Sequence, residues 1–165
     1  MRIAGILHES VVDGPGVRFV VFTQGCLHHC KGCHNMGTWD PEGGYEVSVR
    51  DLIKEIRKAP GSVCGVTISG GEPFLQPEEV AALSKRIHAL GLSVCVFTGY
   101  LFEVLQGMND EHIEDLLNEA DILIDGPFVE ELKDIGLRFR GSSNQRVIDM
   151  NATRESGRII LLSVD

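Results

Sequence analysis

The sequence predicts an α/β protein, an open and incomplete (β/α) barrel built on a mostly parallel sheet. Three observations lead there. Short β-branched runs alternate with amphipathic helical repeats, the pattern of parallel strands joined by right-handed crossovers. Most of those runs end in polar loops that carry glycine. About four to six strands can be counted, too few for a closed eight-stranded barrel, which usually takes about 250 residues. The 165 residues are expected to form one domain, 1–165, around one core.

Residues 17–23 (Val-Arg-Phe-Val-Val-Phe-Thr) read as the first buried strand and stop at Gln24-Gly25. A loop with three cysteines follows directly. Val49, Leu52, Ile53 and Ile56 recur at helical spacing, and Pro60-Gly61 breaks that helix. Residues 63–69 form the second strand, left through Gly70-Gly71-Glu72-Pro73. Pro77-Glu78-Glu79 opens a helix with proline in its first turn and acids at the positive end of its dipole. Its apolar face is Val80, Leu83, Ile87 and Leu90, and Gly91 is its stop.

Residues 92–97 give a third strand ending at Thr98-Gly99-Tyr100. Residues 101–119 are helical in period, with a break near Gly107-Met108-Asn109. Residues 122–124 form a fourth strand, closed by Asp125-Gly126-Pro127. In the tail, residues 147–149 and 159–162 are candidate strands separated by a polar turn. In open parallel sheets, functional groups gather on loops at the strands' carboxyl ends. Here those loops carry the cysteines, the Gly-Gly-Glu, Thr98-Gly99 and Asp125-Gly126, which argues for one shared site.

Composition narrows the classes of function. A net charge of −9 argues against nucleic acid as the main partner, since phosphate binding wants a basic face. A local basic grouping remains in the last third, with Arg138, Arg140, Arg146, Arg154 and Arg158. No apolar run approaches the roughly 20 residues of a membrane span, and the first nine residues are too short and polar for a secretory signal. The expected location is cytoplasmic.

Five cysteines, three of them within eight residues, do not make a disulfide framework. In a reducing compartment such a grouping is more often metal-binding or catalytic. The spacing is Cys26-x-x-x-Cys30-x-x-Cys33. Thiolates suit zinc or iron–sulfur clusters. Three of them in one tight loop can hold three irons of a cubane and leave the fourth open to a substrate. A structural zinc with His28, His29 or His34 as fourth ligand is the other reading. Cys64 and Cys95 fall in apolar runs and are expected to be buried structural thiols. In Ser69-Gly70-Gly71-Glu72-Pro73, the glycines let a ligand's polar head approach the backbone, and Glu72 can accept hydrogen bonds from an ammonium group. Gly-Gly before a helix is also an ordinary turn; its pairing with the cysteine loop gives it weight.

The combination resembles the radical S-adenosylmethionine superfamily, and within it the enzymes that activate glycyl-radical proteins. Residues 12–18 (Val-Asp-Gly-Pro-Gly-Val-Arg), Gln24-Gly25-Cys26, Cys33-His34-Asn35 and Thr38-Trp39-Asp40 resemble the pyruvate formate-lyase activating enzymes. Phe97-Thr98-Gly99-Tyr100, residues 124–128 (Ile-Asp-Gly-Pro-Phe), Glu131-Leu132-Lys133-Asp134 and residues 140–146 (Arg-Gly-Ser-Ser-Asn-Gln-Arg) resemble the activating proteins of anaerobic ribonucleoside-triphosphate reductase. The short length suits that second group.

The resemblance implies that Cys26, Cys30 and Cys33 bind a 4Fe–4S cluster whose open iron chelates S-adenosylmethionine. Gly70, Gly71 and Glu72, next to Ser69, would hold the methionine moiety, with Asn35 orienting it. Reductive cleavage would give methionine and a 5′-deoxyadenosyl radical that takes a hydrogen atom from a glycine of the partner. The implied partners are the anaerobic ribonucleoside-triphosphate reductase and a flavodoxin or ferredoxin-type electron donor. The runner-up partner is pyruvate formate-lyase or another glycyl-radical enzyme, and a different class altogether is a non-catalytic metal-binding docking module.

Asp125 is similar to an acid that helps hold a monovalent cation in the pyruvate formate-lyase activating enzymes, or it is a turn aspartate. Thr98 points into the site or ends its strand. Trp39 and Tyr100 read as packing residues. Residues 140–146 contact S-adenosylmethionine, dock the reductase or form a polar turn. Many members of the superfamily carry an aromatic residue before the third cysteine that helps position adenine. Here that residue is Gly32, which leaves the adenine contact to backbone or to a neighbour such as His34.

Overall fold

The structure, a computed structural model, describes residues 1–164. Among the described residues seven strands form one sheet: β1 (Arg2–Ser10), β2 (Arg18–Thr23), β3 (Tyr45–Glu46), β4 (Gly65–Gly70), β5 (Ser93–Phe97), β6 (Ile122–Asp125) and β7 (Arg146–Asp149). Their order is β3-β1-β2-β4-β5-β6-β7. The central four, β2, β4, β5 and β6, are parallel. β1 runs antiparallel to β2 and to β3, and β7 antiparallel to β6. β3 and β7 are the two ends of the order, so the sheet does not close.

The helices are α1 (Val49–Ile56), α2 (Pro77–His88), α3 (Phe102–Gly107), α4 (Glu111–Glu119) and α5 (Met150–Ser156). Ser48 caps α1 by accepting from the Asp51 N–H, and Asp110 caps α4 by accepting from His112 and Ile113. One face of the sheet, with Phe19, Val21, Val66, Ile68, Val94, Val96 and Leu123, packs against the apolar stripes of α1, α2 and α4. Alternation along the strands sends the next residues to the opposite face. There Cys95, Ile124 and Val147 form a smaller apolar cluster, against which Phe97, Phe139, Leu162 and Val164 pack.

Arg18 is buried on that second face, where a charged side chain needs full pairing. Its guanidinium donates to Thr67 Oγ1 (3.2 Å), Ser93 Oγ (2.7 Å) and the carbonyls of Val66 (2.8 Å) and Ser93 (3.2 Å). Gly65 leaves the space that the guanidinium fills.

Several sequence expectations need correction. β1 and β3 escaped the sequence reading because β1 is mostly exposed or half-buried and shows no clean alternation, while β3 has two residues. The polar stretch after residue 149 is helix α5, capped by the Asp149 carboxylate at Ala152 N–H and ended by Gly157 in the left-handed region (φ 69°). The candidate strand at 159–162 makes only a single bridge, Leu161 to Ile148. Cys64 precedes β4 and is exposed, so the expectation of a buried thiol holds for Cys95 alone.

Candidate active site

The carboxyl ends of β2, β4, β5 and β6 open onto one cavity of about 930 Å³, near the top of the roughly 300–1,000 Å³ usual for small-molecule sites. Cys26, Cys30 and Cys33 line it, together with Asn35, Ser69, Gly70, Gly71 and Thr98. The far wall comes from Gly126, Phe128 and residues 135–141, including Arg138 and Arg140. Eight of the ten residues named for the site therefore share one cavity; Glu72 and Asp125 stand outside its lining.

The cysteine loop and the glycine loop are laced together through the backbone. Gly25 N–H donates to Thr38 O (2.7 Å), Gly71 N–H to Thr23 O (2.8 Å) and Glu72 N–H to Gly25 O (2.8 Å). A side chain on Gly71 would strike the Gly25 carbonyl, and Gly70 has φ 96°. Both glycines are thus required by close approach and by backbone conformation. The residues between the cysteines brace the loop. His28 Nε2 meets Glu72 Oε2 at 2.7 Å, and His29 stacks on Trp39 with ring centroids 4.5 Å apart. Lys31 pairs with Glu130 at 2.9 Å. Asn35 donates its backbone N–H to Cys33 Sγ (3.3 Å).

Glu72 is buried, and protein groups occupy both its oxygens. It accepts from Phe74 N–H (3.0 Å), Gly99 N–H (2.9 Å), Thr98 Oγ1 (3.0 Å) and His28. Its carboxylate ties together the loops that follow β2, β4 and β5. Of the Gly-Gly-Glu motif, only the glycines face the cavity. The Thr98 hydroxyl is likewise committed to Glu72, although Thr98 lines the cavity.

Asp125 is fully buried at the start of α3. It accepts from Phe102 N–H (2.8 Å) and from Arg146 through Nε (2.9 Å) and Nη2. The positive charge beside Asp125 is thus the Arg146 guanidinium, which also forks onto both oxygens of Glu103. Hydrogen bonding to Arg146 holds the Glu103 carboxyl down at about 2, and its acidic partners push the Arg146 guanidinium up.

Residues 140–146 have a structural part that their sequence did not disclose. Gln145 accepts from Gly141 N–H (2.9 Å) and donates to Gly126 O (3.0 Å); Asn144 donates to Pro127 O (2.8 Å); Ser142 Oγ accepts from Val129 N–H (3.1 Å). This turn fastens the loop after β6. Phe128, on that loop, lines the cavity although the sequence gives it no role of its own within Ile-Asp-Gly-Pro-Phe. The only signal available for it was its place one residue beyond the Gly126-Pro127 turn.

The donor set fits a soft metal group. Three thiols face one cavity, while Cys64 and Cys95 do not line it. Among the described residues, no three His, Cys, Asp or Glu side chains are drawn together closely enough to hold a single ion. Burial pushes the Cys26 thiol up, and the Glu72 charge adds to this against backbone hydrogen bonds from His28 and His29. A cationic iron centre beside that sulfur would offset the cost of holding it as a thiolate. Cys95, wholly buried, is pushed up to about 12 and is inert by comparison.

The fold and site define an α/β protein that presents a three-thiol loop and a Gly-Gly loop to one cavity at the ends of parallel strands. Residues 12–148 match the family model described as a 4Fe–4S single cluster domain. The chain is 39% identical over 155 residues to the anaerobic ribonucleoside-triphosphate reductase-activating protein of Salmonella typhimurium, covering 89% of this chain and 97% of that one. The Escherichia coli protein of the same name is 36% identical over 146 residues, 84% and 92% of the two chains. The pyruvate formate-lyase 1-activating enzyme of Escherichia coli is 37% identical over 162 residues, 90% of this chain but 62% of that enzyme. The chain belongs to the 4Fe–4S single cluster domain family, in the branch of radical S-adenosylmethionine proteins that activate glycyl-radical enzymes.

Proposed function

We propose that Cys26, Cys30 and Cys33 ligate a 4Fe–4S cluster at which S-adenosylmethionine is cleaved, and that the product radical activates an anaerobic ribonucleoside-triphosphate reductase. One observation carries this reading: the three thiols share a single cavity with Gly70 and Gly71. When bound, the cluster supplies the electron that splits S-adenosylmethionine into methionine and a 5′-deoxyadenosyl radical, which takes hydrogen from a glycine of the reductase.

The chain's own residues supply placement and seclusion. Gly70 and Gly71 leave room for the methionine head, and Asn35 lies beside it. Glu72 acts from beneath, as a buried anchor that fixes His28 and the cysteine loop on the sheet edge. The open sheet, read as an incomplete barrel, leaves a gap through which a glycine-bearing loop of the partner enters. The choice of reductase rests on residues 97–100, 124–128, 131–134 and 140–146, whose motifs resemble its activating proteins. We place the protein in the cytoplasm as one domain, 1–165, with a flavodoxin or ferredoxin-type protein as electron donor. No helix of the described residues is long and apolar enough to cross a membrane.

The test is anaerobic cluster reconstitution followed by dithionite and S-adenosylmethionine. The wild type is expected to release 5′-deoxyadenosine, and Cys30→Ala none; full cleavage by Cys30→Ala would overturn the ligand assignment. A doublet glycyl-radical signal on mixing with the reductase identifies the partner. A signal with pyruvate formate-lyase alone would move the assignment to that enzyme.

A further inference from the structure

We propose that Phe128 is the side chain against which the adenine of S-adenosylmethionine packs, an inference that rests on the cleavage reading above. Gly32, immediately before Cys33, has φ 74° and carries no side chain toward the cavity. The space beside it is shared by the Glu130 carboxylate (Oε1 2.9 Å from a Cβ there) and Phe128, both of which reach across from the loop after β6. A Cβ on Gly32 would stand 3.3 Å from Phe128 Cε1, and one on Gly141 would stand 3.0 and 3.1 Å from Cδ2 and Cε2. The ring is therefore wedged between two glycines, one on the cysteine loop and one on the turn that fastens the β6 loop. It is half-buried and lines the cavity.

The other aromatic groups on that wall are committed elsewhere. His28 is held by Glu72 and by the edge of Tyr100 (centroids 4.5 Å apart), and Trp39 is stacked on His29. Phe97 and Phe139 pack into the second apolar cluster. His34 also lines the cavity, but it is exposed and meets the half-buried Phe128 ring edge-on at 5.9 Å, so it flanks the platform that Phe128 forms.

Position along the sheet agrees. The Gly70-Gly71 end of the site sits at β4, and β6 lies two strands away, about 10 Å at the usual spacing. A ligand whose amino-acid head is at Gly70-Gly71 beside the cysteine loop carries its nucleoside toward β6. The loop that bears Phe128 is already tied by Asn144, Gln145 and Ser142. The ring is thus pre-organised, and stacking costs little ordering.

The experiment measures affinity of the anaerobically reconstituted protein for S-adenosylmethionine and, separately, for methionine, which lacks adenine. Calorimetry and the change in the reduced cluster's paramagnetic resonance spectrum are the readouts. Phe128→Ala and the bulk-preserving Phe128→Leu are expected to weaken S-adenosylmethionine roughly tenfold, within the range of a base–aromatic stack, and to leave methionine affinity unchanged. Phe128→Tyr is expected to restore wild-type affinity. Unchanged S-adenosylmethionine affinity in Phe128→Leu, or an equal loss for methionine, overturns the proposal. A wild type that neither binds nor cleaves S-adenosylmethionine would instead remove the reading beneath it.

Discussion

His28 Nε2 lies 2.7 Å from Glu72 Oε2, and that contact joins the cysteine loop to the loop that follows β4. It gives the Gly-Gly-Glu motif a division of labour. The glycines face the cavity, and the acid faces the protein, holding four partners in a site where no solvent can replace them.

Glu72→Ala would strand the His28 imidazole, the Thr98 hydroxyl and the N–H groups of Phe74 and Gly99. The expected loss is about 3 kcal/mol of unfolding free energy in protein free of cluster, measured by urea denaturation. A loss below about 1 kcal/mol would mean that the carboxylate is not the anchor described.

Arg146 is the counter-charge of a fully buried Asp125. Arg146→Ala leaves that carboxylate buried and unpaired, at an expected cost of about 3–4 kcal/mol. Arg146→Ala combined with Asp125→Asn should recover part of it, since the uncompensated charge is gone. Because the guanidinium already supplies the positive charge, replacing potassium with a bulky organic cation should leave deoxyadenosine release unchanged. A strict requirement for potassium would show a cation site next to Asp125 after all.

Cys64 is exposed, whereas Cys95 is buried and its thiol is pushed up to about 12 by that burial. In a variant with Cys26, Cys30 and Cys33 changed to serine, a thiol reagent should titrate Cys64 in the folded protein and Cys95 only after denaturation. Rapid reaction of both in the native state would contradict the burial of β5.

His88 sits between Glu119 (3.0 Å) and Asp121 (2.9 Å) on the surface. Burial alone would lower its pKa, but hydrogen bonds and charges from Asp121 and Glu119 outweigh it and raise it above 6.5. A raised folded pKa stabilises fully below the unfolded value and ceases to as pH climbs through the folded value. His88→Ala should therefore lower the melting temperature by roughly 2–4 °C near pH 6 and by less near pH 9. An equal deficit at both would show that packing, not charge, is lost.

The parallel strands were legible because they are buried on both faces. Such strands read as unbroken apolar runs, and residues 17–23, 63–69, 92–97 and 122–124 each lie within two residues of an observed strand at both ends. β1 was not legible, because a half-exposed strand on the antiparallel flank carries no such run. Helix α5 was hidden by its polarity; only its Asp149 cap and Gly157 stop mark it.

By itself the sequence determined the chemistry on offer: three thiols at fixed spacing, two glycines after a strand, and the order in which those loops leave parallel strands. These are local properties, since spacing, turn residues and burial pattern are written within a few residues of one another. The tertiary structure decided which groups face the cavity. Glu72 was drawn under the floor by partners from three loops, Asp125 was claimed by an arginine 21 residues later, and Phe128 was brought beside Gly32 by a turn near residue 141. Each depends on contacts between residues far apart in the chain, and a burial pattern does not record which distant group fills a given space.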